Sequence, residues 1–361
     1  MSTGFDFSTL VELCRQTHHA VQARVGRAAD TSLAVRNWLL GWYIVEYEQQ
    51  GADRAAYGTA LLERLSTALG RGFSARSLRQ CRAFYVHRRG IRQTLSAESL
   101  PVLPALAGST SPIWQTLSAE LSSTLTLGWS HYVELLTIER DEERRFYEIE
   151  AAANQWSVRE LQRQIASSLY ERLALSRDQA DIRRLAREGQ VVERAADLIK
   201  SPLVLEFLGL AEQPHYSEDE LERAIIDKLE AFLLELGKGF LFEARQKRFT
   251  FDNDHFFVDL VFYNRLLRCY VLIDLKRDKL THQDLGQMQM YVNYFDRQMK
   301  LPEELPTIGI VLCRRKNDAL VELTLPADAN IFASRYQLYL PSREALKAEL
   351  EKIEAELEGG Q

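Results

Sequence analysis

Apolar positions recur at helical spacing through the first part of the chain and gather into short strand-like runs near its end. Within residues 5–50, Leu33, Trp38, Leu39, Trp42 and Tyr43 form the apolar part of a helix ending near Gly51. The stretch YGTALLERLSTALGRG (57–72) predicts a second amphipathic helix stopped by glycines. A third begins in FSARSLRQCRAFYVHRRGIR, with Ser74 as its N-cap and Leu78 and Phe84 or Tyr85 facing inward. Helix, glycine turn and short Ser-capped helix make a helix-turn-helix-like unit. Helix returns from LGWSHYVELL onward, and further along, in WSVRELQRQI, Ser157 and Glu160 have capping-box spacing ahead of Leu161 and Ile165. A charged amphipathic helix over 176–200 is halted by Ser201-Pro202.

The pattern then changes. Ser217 and Glu220 form another capping box and open a helix over 218–236. Three strand-like runs follow at 240–250, 256–263 and 268–276, separated by turns at Asp252-Asn253-Asp254 and Asn264-Arg265. A helix over about 282–298, a buried strand in PTIGIVLC and a last strand in YQLYLP complete an α/β domain with a mixed sheet. The tail 342–359 predicts a helix with Leu346, Leu350, Ile353 and Leu357 on one side. Together these elements suggest a helical domain over 1–175, a helical connector over 176–215, an α/β domain over 216–341 and a tail over 342–361. Inside the first, residues 93–127 are poor in charge and carry QTLSAE identically at 93–98 and 115–120, which reads as a flexible surface insertion.

Composition narrows the class. A chain of 361 residues with a 46% hydrophobic and 27% charged content is that of an ordinary globular protein of two or three domains. It holds no apolar run long enough to span a membrane and shows no secretory signal pattern near its start. Cys14, Cys81, Cys269 and Cys313 are scattered without CxxC spacing, so they predict reduced core thiols in a cytoplasmic protein, not zinc ligands. The net charge of −6 argues against uniform phosphate binding, but its distribution is uneven. From Arg71 to Arg92 there are seven arginines and no acid. Arg71, Arg76, Arg79, Arg82, Arg88 and Arg89 are therefore candidate nucleic-acid phosphate contacts, set against the alternative of a solvated basic face or one that meets an acidic neighbour. Arg159 joins them because Phe73-Ser74-Ala75-Arg76-Ser77-Leu78 matches Trp156-Ser157-Val158-Arg159-Glu160-Leu161 in kind, although good N-caps also look alike.

The candidate chemistry lies in the strands. Asp259 sits inside FFVDLVFY and Asp274 inside YVLIDLK, both in runs that should be at least half buried. A buried carboxylate costs several kcal/mol unless a cation or donors compensate it. Asp274 and Lys276 share a strand face, and adjacent strands can bring Asp259 beside them. On a helical wheel Glu222 falls within the apolar arc of the helix 218–236. Its partner is either an arginine such as Arg245 or a site shared with Asp259 and Asp274. Glu222, Asp259 and Asp274 offer hard oxygen ligands of the kind Mg²⁺ takes, with Lys276 suited to steady the attacking hydroxide and the charge developing on a phosphate.

Glu222, Asp259 and Asp274-Leu275-Lys276 resemble the helix acid, the Asp and the (D/E)-x-K of PD-(D/E)XK nucleases. The stretches LGWSHYVELL, WSVRELQRQI, LVLEFLGL, LLELGKGFLFEARQKRF, VDLVFYNRLLRCYVLIDLK and GQMQMYVNYFD are similar to the YhcG-like bacterial family over most of the chain outside 93–127. The family's pattern has Glu where this chain has Asp274, and Val258 stands where the superfamily commonly has proline. The resemblance implies a restriction-endonuclease-like mixed sheet flanked by helices. It also implies Mg²⁺-dependent DNA cleavage, with Mn²⁺ as a second usable ion. The helical N-terminal region would bind DNA or organise a homo-oligomer, in defence, recombination or repair. It further implies a site role for Gln287 on the helix after D-x-K, with Gln283 and Tyr291 on the same helical face. The alternative is a nuclease fold that binds DNA as a scaffold without cutting it.

Overall fold

In the computed structural model, the residues described are 6–22, 29–50, 60–91, 121–175, 179–200, 202–210, 216–326, 328–340, 342, 344–348 and 350. Both QTLSAE copies, and Ile353 and Leu357 of the expected tail helix, lie outside them. The chain divides into two compact units, Met1–Gln162 and Arg163–Gln361, a division earlier than the expected one at 175.

The first unit is helical: α1 (Phe7–Gln22), α2 (Ala29–Gln50), α3 (Leu61–Leu69), α4 (Ala75–His87), α5 (Trp129–Leu135), α6 (Asp141–Ala153) and the start of α7 (Val158–Ala166). The apolar stripe of α2 becomes its core, with Trp38, Trp42 and Tyr43 all buried. Gly41 lets α2 and α4 meet backbone to backbone, since a Cβ there would lie 2.1 Å from the Cys81 carbonyl oxygen. The turn between α3 and α4 forms as expected. Ser74 caps α4 by accepting the Ser77 N–H at 3.1 Å, and Phe73 and Leu78 are buried. At α7 the Ser157 and Glu160 side chains reciprocate as a capping box, with Trp156 and Leu161 buried.

The second unit contains α8 (Leu169–Ala174), α9 (Gln179–Glu188), α10 (Glu218–Asp227), α11 (Leu229–Leu236), α12 (His282–Tyr294) and α13 (Asp318–Thr324). Its strands are β1 (Leu203–Val204), β2 (Phe240–Phe251), β3 (Asp254–Asn264), β4 (Cys269–Lys279), β5 (Ile308–Arg315) and β6 (Ile331–Gln337). They form one mixed sheet in the order β1-β6-β5-β4-β3-β2. The antiparallel β2–β3–β4 meander leads into parallel pairing of β4 with β5, β5 with β6 and β6 with β1. The alternation of β4 sets the two layers. Ile273 and Leu275 pack with Leu221, Ile225 and Phe232 of α10 and α11, whereas Leu272 packs with Met288, Tyr291 and Val292 of α12. Gly309 lets α12 close on β5, because a Cβ there would be 2.6 Å from Met288 Cγ.

Three expectations are corrected. The helix over 218–236 breaks at Lys228, whose backbone leaves the helical region. The last strand is Ile331–Gln337, not YQLYLP: its centre, Ala333-Ser334-Arg335, carries no strand-like alternation, and pairing to β5 makes it a strand. The helix of 282–298 turns into a π-helical segment at Phe295–Met299. The two-residue β1 and the exposed α13 lack any strong periodic signal.

Candidate active site

The register of β3 with β4 ends at Leu260↔Ile273, and the next facing positions are Asp259 and Asp274. There the Asp259 carboxylate takes the place of a ladder partner: Oδ2 accepts the Leu275 backbone N–H at 2.8 Å. Its Oδ1 accepts from Gln246 Nε2 at 3.1 Å. Gln246 faces Asp259 from β2, just beyond a bulge between Phe242 and Ala244, and adopts a left-handed φ of 47°. Such a conformation costs a non-glycine residue on the order of 1 kcal/mol and is held by its surroundings. The same Gln246 amide also donates to Glu222 Oε2.

Asp274 is buried, at 2% exposure. Lys276 Nζ lies 2.9 Å from its Oδ2, yet that oxygen has no directional hydrogen bond. Burial, and after it the charge of Asp274, pushes the Asp259 carboxyl up to about 7. Burial likewise raises Asp274, against the opposing pull of Lys276. Burial works against the charge on Lys276 too, but Asp274, with Glu218 and Asp259 behind it, outweighs that and holds its pKa above the ordinary lysine value. The lysine therefore stays protonated at neutral pH.

Tyr291 and Gln287 of α12 complete one wall. Gln287 Nε2 donates to the Tyr291 hydroxyl, and burial together with the charge of Asp274 pushes that phenol up to about 12. Asp284, the N3 residue of a Thr281 capping box, is 4.0 Å from Lys276. Glu218 accepts the Arg277 backbone N–H at 3.0 Å.

The structure thus brings Asp259, Asp274 and Lys276 together, with Gln287 and Tyr291 beside them. Glu222 is placed differently from a direct member of the acid pair. It is buried on α10, where Arg245 Nε and the Gln246 amide hold its two oxygens, so the arginine pairing left open by the helical wheel is the one that forms. Among the described residues, no three His, Cys, Asp or Glu side chains stand close enough to hold a metal ion. The donor set still suits Mg²⁺, which is commonly held by one or two carboxylates and completed by water and substrate phosphate. Asp259 and Asp274 supply those hard oxygens, one of them without a hydrogen bond. Gln246, Glu218 and Asp284 were not anticipated. Gln246 sits in a run without apolar alternation, and the other two carry only helix-capping signals.

The candidate DNA-contacting arginines divide in two. Arg71, Arg76, Arg79, Arg89 and Arg159 are exposed. Arg82 is paired with Glu48 at 2.8 Å. Arg88 is partly buried, ion-paired with Glu148 and set against the Tyr132 ring. Burial lowers its pKa.

Comparison with known proteins identifies two segments. Residues 196–351 match the model of the YhcG PDDEXK nuclease domain, and residues 13–172 match the DUF1016 N-terminal domain. A protein of Escherichia coli strain K12 named "Putative nuclease YhcG" is 42% identical over 332 residues, covering 89% of this chain and 87% of that one. A repair endonuclease from Pyrococcus abyssi overlaps 37% of this chain and 51% of its own at 20% identity and a TM-score of 0.26. An EndoMS–dsDNA complex overlaps to the same extent at 18% identity and a TM-score of 0.25.

Proposed function

Because the chain belongs to the YhcG family of PDDEXK nucleases, we propose that its C-terminal unit is a divalent-metal-dependent endonuclease that hydrolyses phosphodiester bonds in DNA. The observation that carries this reading is buried Asp274 facing partly buried Asp259, with Lys276 beside them, at the point where β3 and β4 cease to pair. Asp259 and Asp274 would hold Mg²⁺ or Mn²⁺. When bound, such a cation neutralises charge at the phosphate and eases the ionisation of water.

The chain's own groups do the rest. The Leu275 N–H and the Gln246 amide fix the Asp259 carboxylate, and Arg245 anchors Glu222, which in turn orients Gln246. Lys276, held protonated, faces the charge that builds on phosphate oxygens during attack. Gln287 and Tyr291 form a polar wall on the α12 side. In the helical unit, Arg71, Arg76, Arg79, Arg89 and Arg159 are free to contact phosphates. Arg82 and Arg88 are engaged by acids.

The test is incubation of the full-length protein with plasmid, branched and single-stranded DNA, with Mg²⁺ or with chelator. Cleavage by wild type in Mg²⁺, absent with chelator and in Asp259→Ala, is expected. Equal cleavage by wild type and Asp259→Ala overturns the site.

A further inference from the structure

A cavity of about 440 Å³ opens in the second unit at the C-terminal ends of β5 and β6. Its size lies in the ~300–1,000 Å³ range of sites that take small-molecule-sized groups. Arg314, Arg315 and Arg335 line it, and among the described residues none of the three forms an ion pair. The one carboxylate on its wall, Asp278, is already paired with Arg277 at 2.9 Å. Three unpaired guanidinium groups around one cavity favour an anion, and guanidinium geometry favours phosphate.

The remaining lining argues for more than a bare anion. The Tyr339 ring is 60% exposed at the rim, and Arg314 lies over the Tyr216 ring with its guanidinium carbon 6.0 Å from the centroid. Exposed aromatic faces beside arginines are how unpaired bases are stacked. The side-chain oxygen of Gln337, also on the wall, is buried without a hydrogen-bond partner, so an acceptor awaits a donor from an occupant.

Sheet register ties the cavity to the acid pair. Lys276 is level with Cys313, and Cys313 with Arg335, across three neighbouring strands. Lys279 is level with Arg315. At ~4.8 Å per strand, Arg335 stands about 10 Å from Lys276 along the sheet edge.

We propose that this cavity is a second phosphate subsite, which takes a nucleotide of the DNA strand running on from the scissile phosphate. The proposal rests on the nuclease reading of Asp259, Asp274 and Lys276. In it the three arginines contact backbone phosphate, Tyr339 stacks on an unpaired base, and the Gln337 amide accepts from that base or its sugar.

The test measures binding of a fluorescein-labelled single-stranded oligonucleotide to the full-length protein by anisotropy, in chelator so that cutting plays no part. Arg315→Ala and Arg335→Ala should each weaken binding about tenfold and reduce the salt slope by about one. Arg335→Lys should recover part of the loss. Arg265→Ala, which removes an exposed charge from the β3–β4 turn at the other end of these strands, should leave affinity unchanged. Unfolding midpoints measured alongside separate lost contacts from lost structure. Equal affinities for Arg315→Ala, Arg335→Ala and Arg265→Ala would overturn the subsite. So would a loss confined to the binding of deoxyadenosine monophosphate, which would mark a free-nucleotide pocket. If wild type cuts DNA and Arg335→Ala binds and cuts it with unchanged KM, the subsite fails and the nuclease reading stands. If wild type does not cut but the affinity losses appear, the subsite stands and the nuclease reading fails.

Discussion

Two carboxylate sites of the second unit, Glu235 and the Asp259–Asp274 pair, are compensated in opposite ways. Glu235, on α11, is fully buried and surrounded by cations and donors. Arg172 pairs with it, Arg163 lies 3.4 Å away, and the Val204 N–H donates to it at 2.9 Å. Lys200 donates to its backbone carbonyl. Burial alone would raise this carboxyl, but Arg172, Lys200 and Arg163 outweigh it and bring it down to about 2. Asp274 is nearly as well buried and Asp259 is partly buried, but the pair has one lysine between them, and burial with mutual repulsion pushes Asp259 up to about 7. Burial of an acid therefore does not identify a site. The charge balance around it does: a satisfied acid holds the fold, and an under-compensated pair leaves room for a cation.

The contrast can be broken from either side. The largest expected effect is on the reactive pair. Lys276→Ala should lower cleavage by about 10³-fold or more, roughly 4 kcal/mol of transition-state stabilisation, while the unfolding transition stays cooperative. Wild-type rates in that variant would remove the lysine from the chemistry. At the satisfied site the effect should fall on stability. Glu235→Ala strands Arg172 and Lys200 in the core and should destabilise the second unit by about 3–5 kcal/mol, read from urea unfolding. Asp274→Asn, which removes an under-compensated charge, should leave the metal-free protein as stable as wild type or more so.

The pH dependence of metal-free stability should carry both signs. The Glu235 carboxyl is lower folded than its ordinary 4.5, so its contribution is present above that pH and disappears as pH falls toward about 2. The Asp259 carboxyl is higher folded than its ordinary 3.8, so the native state holds a proton that the unfolded chain has lost. Stability should therefore fall as pH rises from about 4 to about 7, and Asp259→Asn should flatten that slope. The smallest effect belongs to Gln246→Ala. Losing the amide that bridges Glu222 and Asp259 should reduce cleavage about tenfold without abolishing it.

How much of this was legible follows the physics of each signal. The β2–β3–β4 meander, the turn at Asp252 and Asn253 and the capping boxes at Ser157 and Ser217 were readable because each is a local pattern. Asp259, Asp274 and Lys276 stood out because charge inside strongly apolar strands is costly wherever the chain folds. β6 was misplaced because Ala333 and Ser334 become strand only through pairing with β5. The arrangement at Glu222 was readable only as a choice between partners. Helical periodicity shows that it faces the core, and the bulge in β2 that brings Arg245 and Gln246 to it has no sequence signature. Arg314, Arg315 and Arg335 lie on two strands and meet only in the folded sheet.

The central claim, that the under-compensated Asp259–Asp274 pair is a cation site, can be tested without any DNA. Urea unfolding of the full-length protein, with chelator and then with millimolar Mg²⁺ or Mn²⁺, reports binding to the native state directly. Metal should raise the unfolding midpoint of wild type and of Glu222→Gln, and leave Asp259→Asn and Asp274→Asn unmoved. A wild-type midpoint indifferent to metal, or an equal rise in all four proteins, would contradict that claim.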